Sequence, residues 1–124
     1  MDKNILLIED DQALAGMYEM KFREEGYEID VAGDGEEGLE RIRSNRPDLV
    51  LLDIVLPKKD GYQVLEEIRN DEQIKDVQVF VLSNLGQNGE IEQGKNKGAD
   101  DYFVKASLTP TQLVEKVKER LKGE

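Results

Sequence analysis

The stretch Asp48–Pro57, which reads DLVLLDIVLP, decides the fold of this 124-residue chain. Four apolar residues lead into Asp53, and three more follow before the proline. A continuous apolar run is typical of a strand that is buried on both faces of a sheet. An ionised carboxylate inside such a run costs free energy unless another group compensates it. Asp53 therefore needs a chemical reason to stand there.

Short apolar runs alternate with longer amphipathic segments along the whole chain. Strands are predicted at residues 5–8, 28–32, 49–52, 79–82 and 101–104. Apolar residues at helical spacing follow four of the strands, and a weaker helix is predicted at 87–97, a segment that contains two glycines. Five strand–helix units predict an α/β fold, in which helices cover both faces of a parallel sheet.

The predicted sheet has a defined strand order. The runs 5–8, 49–52 and 79–82 are fully apolar and are predicted to be central, whereas the half-polar run 28–32 fits an edge. Right-handed crossovers then favour the order 2-1-3-4-5, the flavodoxin-like (βα)5 three-layer sandwich. Strands one and three become neighbours where the winding direction switches, and ligands bind beyond the carboxyl ends of the strands at such a point.

Acidic residues follow both of those strands. Glu9, Asp10 and Asp11 follow strand one, and Asp53 follows strand three. Like charges about 4 Å apart repel by roughly 4 kcal/mol at an effective dielectric of about 20. Such a cluster therefore indicates a bound cation or a shared proton. Carboxylates, a backbone carbonyl and waters suit Mg²⁺ (or Mn²⁺), whereas Ca²⁺ would require more protein oxygens.

A hydroxyl and an ammonium group are predicted at the same edge, because Ser83 follows strand four and Lys105 follows strand five. With the acids and a metal, they would stabilise the charge on a phosphoryl group. Alone, each has a simpler interpretation as a loop hydroxyl or a surface lysine, and Asp11 is also a natural helix N-cap. Asp53 fits a capping role badly, since no helical pattern follows it. Their shared placement at strand ends is what indicates the site.

The composition excludes several kinds of function. Without cysteine or histidine the chain has no disulfides, no thiolate metal site and no serine–histidine catalysis. A formal charge of −11 argues against direct contact with nucleic acid. No signal peptide and no apolar run of membrane-spanning length is visible, which predicts a cytoplasmic protein without membrane insertion.

Four segments resemble the receiver domain of bacterial two-component response regulators, in the single-domain form of the chemotaxis regulators. They are ILLIEDD (5–11), PDLVLLDIVLPKKDGYQVL (47–65), VFVLSN (79–84) and GADDYFVKA (98–106). The resemblance covers residues 3–122 and implies the fold derived above. Residues 1–124 are then expected to form one receiver domain without an output domain, either as a stand-alone protein or as a fragment of a longer regulator.

The resemblance implies a role for the acids. Asp53 would be the phosphoacceptor, and a phosphohistidine on a sensor histidine kinase or phosphotransfer protein would be the donor. Asp10, Asp53 and the backbone carbonyl of Val55 would hold the metal, and Glu9 would act through a bound water. The chain would be a phosphoacceptor that assists its own phosphorylation and slow dephosphorylation, not a turnover enzyme.

The resemblance also implies how the signal would be transmitted. Lys105 would pair with a phosphoryl oxygen, Ser83 would rotate towards the phosphoryl group, and Tyr102 would turn inward behind it. The alternative for Tyr102 is a plain surface aromatic. A downstream protein would read the change on the face formed by the helix at 87–97, the strand at 101–104 and the last helix. The implied assembly is a monomer or a weak, phosphorylation-dependent dimer.

The chain departs from the family pattern around the site. Ala106 replaces the usual proline, which often has a cis bond, and this leaves the geometry of Lys105 open. Asn84 is bulkier than the usual small residue after the switch hydroxyl. Val55 and Leu85 flank the site with apolar side chains that cannot orient an attacking water. We therefore predict a long-lived phosphoryl-aspartate.

The sequence leaves three rival interpretations. Residues 33–38, GDGEEG, match a dinucleotide-binding G-x-G-x-x-G, but acids stand where the pyrophosphate would lie, and a turn into a helix is favoured. A phosphohydrolase with Asp53 as nucleophile would usually carry a second acid where Val55 stands. The remaining alternative is a receiver-like scaffold that is never phosphorylated and acts by protein contacts only. The intact set of Glu9, Asp10, Asp53, Ser83 and Lys105 argues against it, and Asn84 and Ala106 leave it open.

Overall fold

Residues 3–83 and 98–122 are described in the computed structural model. One parallel sheet has the predicted order β2-β1-β3-β4-β5. Its strands are β1 (Asn4–Ile8), β2 (Glu28–Ala32), β3 (Leu49–Leu52), β4 (Gln78–Ser83) and β5 (Asp101–Val104). The helices are α1 (Gln12–Glu24), α2 (Gly35–Asn45), α3 (Gly61–Asn70) and the C-terminal helix (Pro110–Lys122), with a 3-10 turn at Lys105–Ser107. The predicted helix at 87–97 lies outside the described residues. Within the described ranges, no helix is long and apolar enough to cross a membrane.

Polar residues supplied by the sequence begin these helices. Asp11, Asp34 and Asp60 each accept a hydrogen bond from the backbone N–H three residues later, at the starts of α1, α2 and α3. Thr109 does the same for the C-terminal helix through its hydroxyl. The capping interpretation of Asp11 is therefore confirmed. Helix α2 ends at Asn45, and its C-cap residue, Arg46, lies in the left-handed region with φ 47° immediately before Pro47, which disfavours a helical residue before it.

Two apolar layers sandwich the sheet. One lies against α1 and the C-terminal helix and includes Phe22 and Phe80, and the other lies against α2 and α3 and includes Ile42 and Leu65. The register pairs Ile8 with Leu52 and Leu52 with Val81. The carboxyl ends of β1 and β3 therefore lie at one level, and β4 extends two residues beyond them to Ser83. The residues at these strand ends share one edge of the sheet.

Candidate functional site

The predicted site residues meet at the carboxyl edge of the sheet. Glu9 and Asp10 directly follow β1, Asp53 directly follows β3, and Ser83 is the last residue of β4. Lys105 directly follows β5. Strands β1 and β3 are hydrogen-bonded neighbours, and each begins a crossover to a different side of the sheet. The fold therefore places these residues at the predicted switch point.

Asp53 is held by bonds to both of its carboxylate oxygens. Its side chain is buried, with only 6% of the residue exposed. Oδ1 accepts hydrogen bonds from the backbone N–H groups of Ile54 at 2.7 Å and Val55 at 3.4 Å. Oδ2 accepts one from the Lys105 ammonium at 2.8 Å. Asp53 caps no described helix, so the objection to a capping role is confirmed.

The connection from β3 to α3 packs closely against Asp53. The Gly61 N–H donates to the carbonyl of Ile54 at 2.7 Å. A Cβ added at Gly61 would lie 2.3 Å from the Asp53 carbonyl oxygen, which is closer than atoms can approach. Glycine at this position therefore lets the start of α3 pack directly behind the backbone of Asp53.

Lys105 bridges two carboxylates. Besides Asp53, its ammonium donates to Glu9, which is 2% exposed. Burial alone would lower the pKa of Lys105, but the hydrogen bonds to Asp53 and Glu9 outweigh it and raise the pKa above 10.5. Burial raises the pKa of Glu9, and the bonds from Lys105 and from the backbone N–H of Asp11 oppose that rise. The sequence predicted Lys105 at this edge but missed its contact with Glu9.

Glu9, Asp10 and Asp53 form an acidic cluster, in which one oxygen from each carboxylate lies within 4.8 Å of the others. Lys105 supplies one positive charge against these three negative ones, so negative charge remains at the site. Hard carboxylate oxygens with uncompensated charge are a donor set that suits Mg²⁺ or Mn²⁺. The residues present therefore fit a divalent metal. Val55, the predicted carbonyl ligand, contacts the cluster through the bond of its N–H to Asp53, and the residue is 64% exposed.

The predicted switch residues Ser83 and Tyr102 are both buried, at 1% and 8% exposure. Tyr102 packs in a small apolar cluster with Ile54 and Val81. The surface interpretation of Tyr102 is therefore wrong. Ile54 directly follows Asp53 in the chain. Tyr102 therefore packs against the residue next to the candidate phosphoacceptor.

The remaining site-flanking predictions have mixed outcomes. Ala106 lies exposed in the 3-10 turn after Lys105, and the described residues contain no cis peptide bond. Lys105 nevertheless reaches the acidic cluster with alanine after it. Asn84 and Leu85 lie outside the described residues.

The glycine-rich segment 33–38 forms a turn and the start of α2, which is the interpretation that the sequence favoured. Asp34 accepts from the backbone N–H of Glu37 at 2.8 Å, and Glu37 accepts from the N–H of Gly33 at 2.9 Å. The preceding strand, β2, lies at the edge of the sheet, away from the switch point. The rejection of a dinucleotide site is supported by this placement.

Tyr18 is a further residue near the site that the sequence did not single out. Tyr18 is buried in the layer between α1 and the sheet. Burial raises the pKa of its hydroxyl, and the charges of Lys105, Glu9 and Asp53 act on it as well. A tyrosine at an apolar helix position carries no sequence signal for this, because only the fold brings it near the site.

Comparison with known proteins identifies the family. The family model for the response regulator receiver domain matches residues 5–118. The DNA-binding dual master transcriptional regulator RpaA of Synechocystis is 40% identical over 82% of this chain and 42% of its own length. The chain spans about half the length of the curated relatives it matches. Because RpaA is described as DNA-binding, the comparison gives no support to the expectation that nucleic acid is excluded.

Solved structures agree with this result. The phosphorylated cyanobacterial phytochrome response regulator RcpA is 30% identical with a TM-score of 0.85, over 96% of this chain and 93% of its own. The Mn²⁺-bound response regulator Rcp1 is 26% identical with a TM-score of 0.85, over 94% and 92%. Together with the strand order and the acidic cluster, these matches show that the chain belongs to the receiver-domain family of two-component response regulators.

Proposed function

We propose that this chain is a phosphorylation-dependent signalling switch in which Asp53 accepts a phosphoryl group from a phosphohistidine of a sensor kinase or phosphotransfer protein. The observation that carries the proposal is the contact between Asp53 and Lys105 inside the acidic cluster. A buried acid held by backbone N–H groups and one lysine is oriented for attack. The phosphorylated relative RcpA supports the same chemistry.

The proposed transfer is a simple displacement. A carboxylate oxygen of Asp53 attacks the phosphorus, the new O–P bond forms, and the bond to the imidazole nitrogen of the donor breaks with its electron pair left on that nitrogen. The backbone N–H of Ile54 orients Asp53 while Lys105 neutralises charge on the phosphoryl oxygens. Mg²⁺ or Mn²⁺, held by Asp10, Asp53 and the Val55 carbonyl, with Glu9 through water, would stabilise the same charge.

Phosphorylation changes the partners of Lys105. In the structure its ammonium divides its bonds between Asp53 and Glu9. A phosphoryl group on Asp53 would offer new anionic oxygens to Lys105 and to the Ser83 hydroxyl, and Tyr102 would follow. A downstream protein would then read the face made by residues 87–97, β5 and the C-terminal helix. The donor and this reader place the proposed activity in the cytoplasm.

The chain is proposed to be an acceptor and not a turnover enzyme. It assists its own phosphorylation and hydrolyses the product slowly, because the exposed Val55 side chain offers no polar group to an attacking water. Decay of the phosphorylated protein in Mg²⁺ buffer tests this, with Val55→Gln as the matched variant. Slow decay that Val55→Gln accelerates supports the proposal, and rapid loss from the unaltered chain contradicts it.

The first experiment is intact-mass spectrometry after incubation with acetyl phosphate and Mg²⁺. We expect a gain of one phosphoryl group that disappears in Asp53→Asn and on removal of the metal. Asp101→Asn, an acid outside the site, serves as the control and should still be modified. Should acetyl phosphate fail, a histidine kinase is the second donor. Failure with both would favour the unphosphorylated scaffold.

A further inference from the structure

Arg69, in the last turn of α3, lies at the amino edge of the sheet and makes four hydrogen bonds. Its Nε donates to the carbonyl of Gly98 at 2.9 Å. Nη1 donates to the carbonyls of Lys75 at 2.8 Å and Val77 at 2.7 Å. Nη2 donates to Oδ2 of Asp100 at 3.0 Å. One guanidinium therefore joins the end of α3 to the connections that enter β4 and β5.

Asp100 connects Arg69 to the sheet, and we call these two residues the Arg69–Asp100 clamp. Its Oδ2 accepts from the Val79 N–H at 2.8 Å, and its own N–H donates to the Val79 carbonyl at 2.8 Å. The ladder between β4 and β5 begins directly afterwards, with Phe80 paired with Asp101. The Arg69–Asp100 clamp therefore fixes the register of β5 at its first residue. A slip of one residue would move the strand by about 3.3 Å and turn every side chain to the other face.

Position 98, which contacts Arg69, requires a glycine. Its φ is +108°, a conformation that residues with a side chain rarely adopt. A Cβ added there would also lie 2.9 Å from Cγ of Arg69. The chain therefore enters β5 along a path that depends on Arg69 and glycine together.

The register of β5 decides where Lys105 lies. Strand β5 is at the edge of the sheet, with β4 as its bonded neighbour, and Lys105 is the residue after its end. The Lys105 ammonium reaches Asp53 at 2.8 Å, a distance that a slip of β5 would not preserve. We propose that Arg69 is a positioning residue for phosphoryl transfer, which acts through Asp100 and β5 to hold Lys105 on Asp53.

A direct test does not require phosphorylation. The ammonium of Lys105 is followed by ¹H–¹⁵N NMR of the unphosphorylated protein, and its signal is identified by its absence in Lys105→Gln. Arg69→Gln is compared with Arg43→Gln, since Arg43 makes a single exposed ion pair with Asp71 at 3.0 Å. We expect Arg69→Gln to shift or broaden the Lys105 signal and Arg43→Gln to leave it unchanged. An unchanged signal in folded Arg69→Gln overturns the proposal.

The rate of modification by acetyl phosphate with Mg²⁺ is the second test, and this part rests on the proposed function. We expect Arg69→Gln to slow the reaction about tenfold or more relative to Arg43→Gln, as small misplacements of a reacting group do. Asp100→Ala should slow it similarly, and Asp100→Asn, which keeps an acceptor oxygen, should restore most of the rate. The double variant Arg69→Gln/Asp100→Ala should be no slower than either single variant, because the two residues act in series.

The controls separate the possible failures. If Arg69→Gln does not fold, the comparison of Asp100→Ala with Asp100→Asn carries the test, and equal rates in those two variants overturn the proposal. If the unaltered protein takes up no phosphoryl group, the proposed function fails. The Lys105 signal then still decides whether Arg69 positions that lysine.

Discussion

The two edges of the same sheet use charge in opposite ways. At the carboxyl edge, the acidic cluster faces the single ammonium of Lys105, and negative charge is left over. At the amino edge, Arg69 and Asp100 compensate each other, and their remaining bonds go to backbone groups. Uncompensated charge provides capacity for another cation or for chemistry, whereas compensated charge fixes geometry. The carboxyl edge is thus recognisable as a site because Glu9 and Asp53 are buried there and share one ammonium group.

The largest expected effect is from removal of the cation at the carboxyl edge. Lys105→Met leaves Glu9 and Asp53 buried without their shared ammonium, so we expect a loss of about 3 kcal/mol in the free energy of unfolding without metal. Lys118→Met is the control, because its pair with Glu25 is exposed and should matter by about 0.5 kcal/mol or less. Urea denaturation at neutral pH measures both. Equal losses would show that the buried pair is not special.

A divalent metal should act at one edge only. We expect Mg²⁺ or Mn²⁺ to raise the free energy of unfolding, by about 2.7 kcal/mol when the metal is at a hundred times its Kd. Asp10→Asn should lose most of this gain because it removes one acid of the cluster. Asp100→Asn, at the other edge, should keep it. Thermal unfolding across a metal titration checks this, and an equal response from both variants would refute the metal assignment.

Removal of an acid should have opposite signs at the two edges. Without metal, Asp10→Asn is expected to stabilise the protein by about 1 kcal/mol, since it relieves repulsion near the surface. Asp100→Ala is expected to destabilise it by about 2 kcal/mol, since it leaves Arg69 and the Val79 N–H without their acceptor. Chemical denaturation in chelator compares the two. Effects of the same sign would break the contrast between the edges.

The smallest expected effect is the pH dependence of a helix cap. The backbone N–H of Glu37 holds the pKa of Asp34 below its usual 3.8, assisted by Lys58. A lowered pKa in the folded state means that Asp34 stabilises the protein above its ordinary pKa, and that this contribution is lost as the pH falls through the lowered value. Asp34→Ala should therefore differ most from the unaltered chain near neutral pH and least in strong acid. Glu40→Ala, on the exposed face of α2, is the control. Denaturation midpoints measured from strong acid to neutral pH test the prediction, and an effect of Asp34→Ala that is the same at every pH would contradict it.

The strand order could be predicted because burial leaves a direct trace in composition. LVLL at 49–52 has no polar residue and lies in the centre, whereas EIDVA at 28–32 carries two acids and lies at the edge. Proline gives a comparable signal for a helix end, since it disfavours a helical residue before it and Pro47 follows the C-cap of α2. The carboxyl end of β4 was harder to predict. Ser83 belongs to the strand and does not follow it, because a hydroxyl can be buried at the last rung without a break in the ladder.

The site could be predicted only as far as strand ends determine it. Parallel strands bring their carboxyl ends together, so the convergence of Glu9, Asp53 and Lys105 follows from topology. Which acid Lys105 contacts depends on the reach of its side chain, and the sequence contains no signal for that. The same limit hid Arg69, because three of its four acceptors are backbone carbonyls, which every residue possesses.

The burial of Tyr102 illustrates a further limit. Neighbouring residues of a strand point to opposite faces, so one of Tyr102 and Phe103 was free to be exposed at the edge of the sheet. Instead Phe103 packs in the layer under the C-terminal helix, and Tyr102 packs beside Ile54 and Val81. Ile54, which helps to bury Tyr102, belongs to the loop after β3. The alternation of residues along a strand does not predict contacts with a loop.

Both outer strands of the sheet bear an acid paired with an arginine from a neighbouring helix. Asp30 in β2 pairs with Arg41 of α2, and Asp101 in β5 pairs with Arg120 of the C-terminal helix. An incoming strand from another molecule would have to displace these charged pairs before it could bond to either edge. These ion pairs also connect the helices to the sheet. They therefore protect this parallel sheet against fibre-like aggregation at high protein concentration.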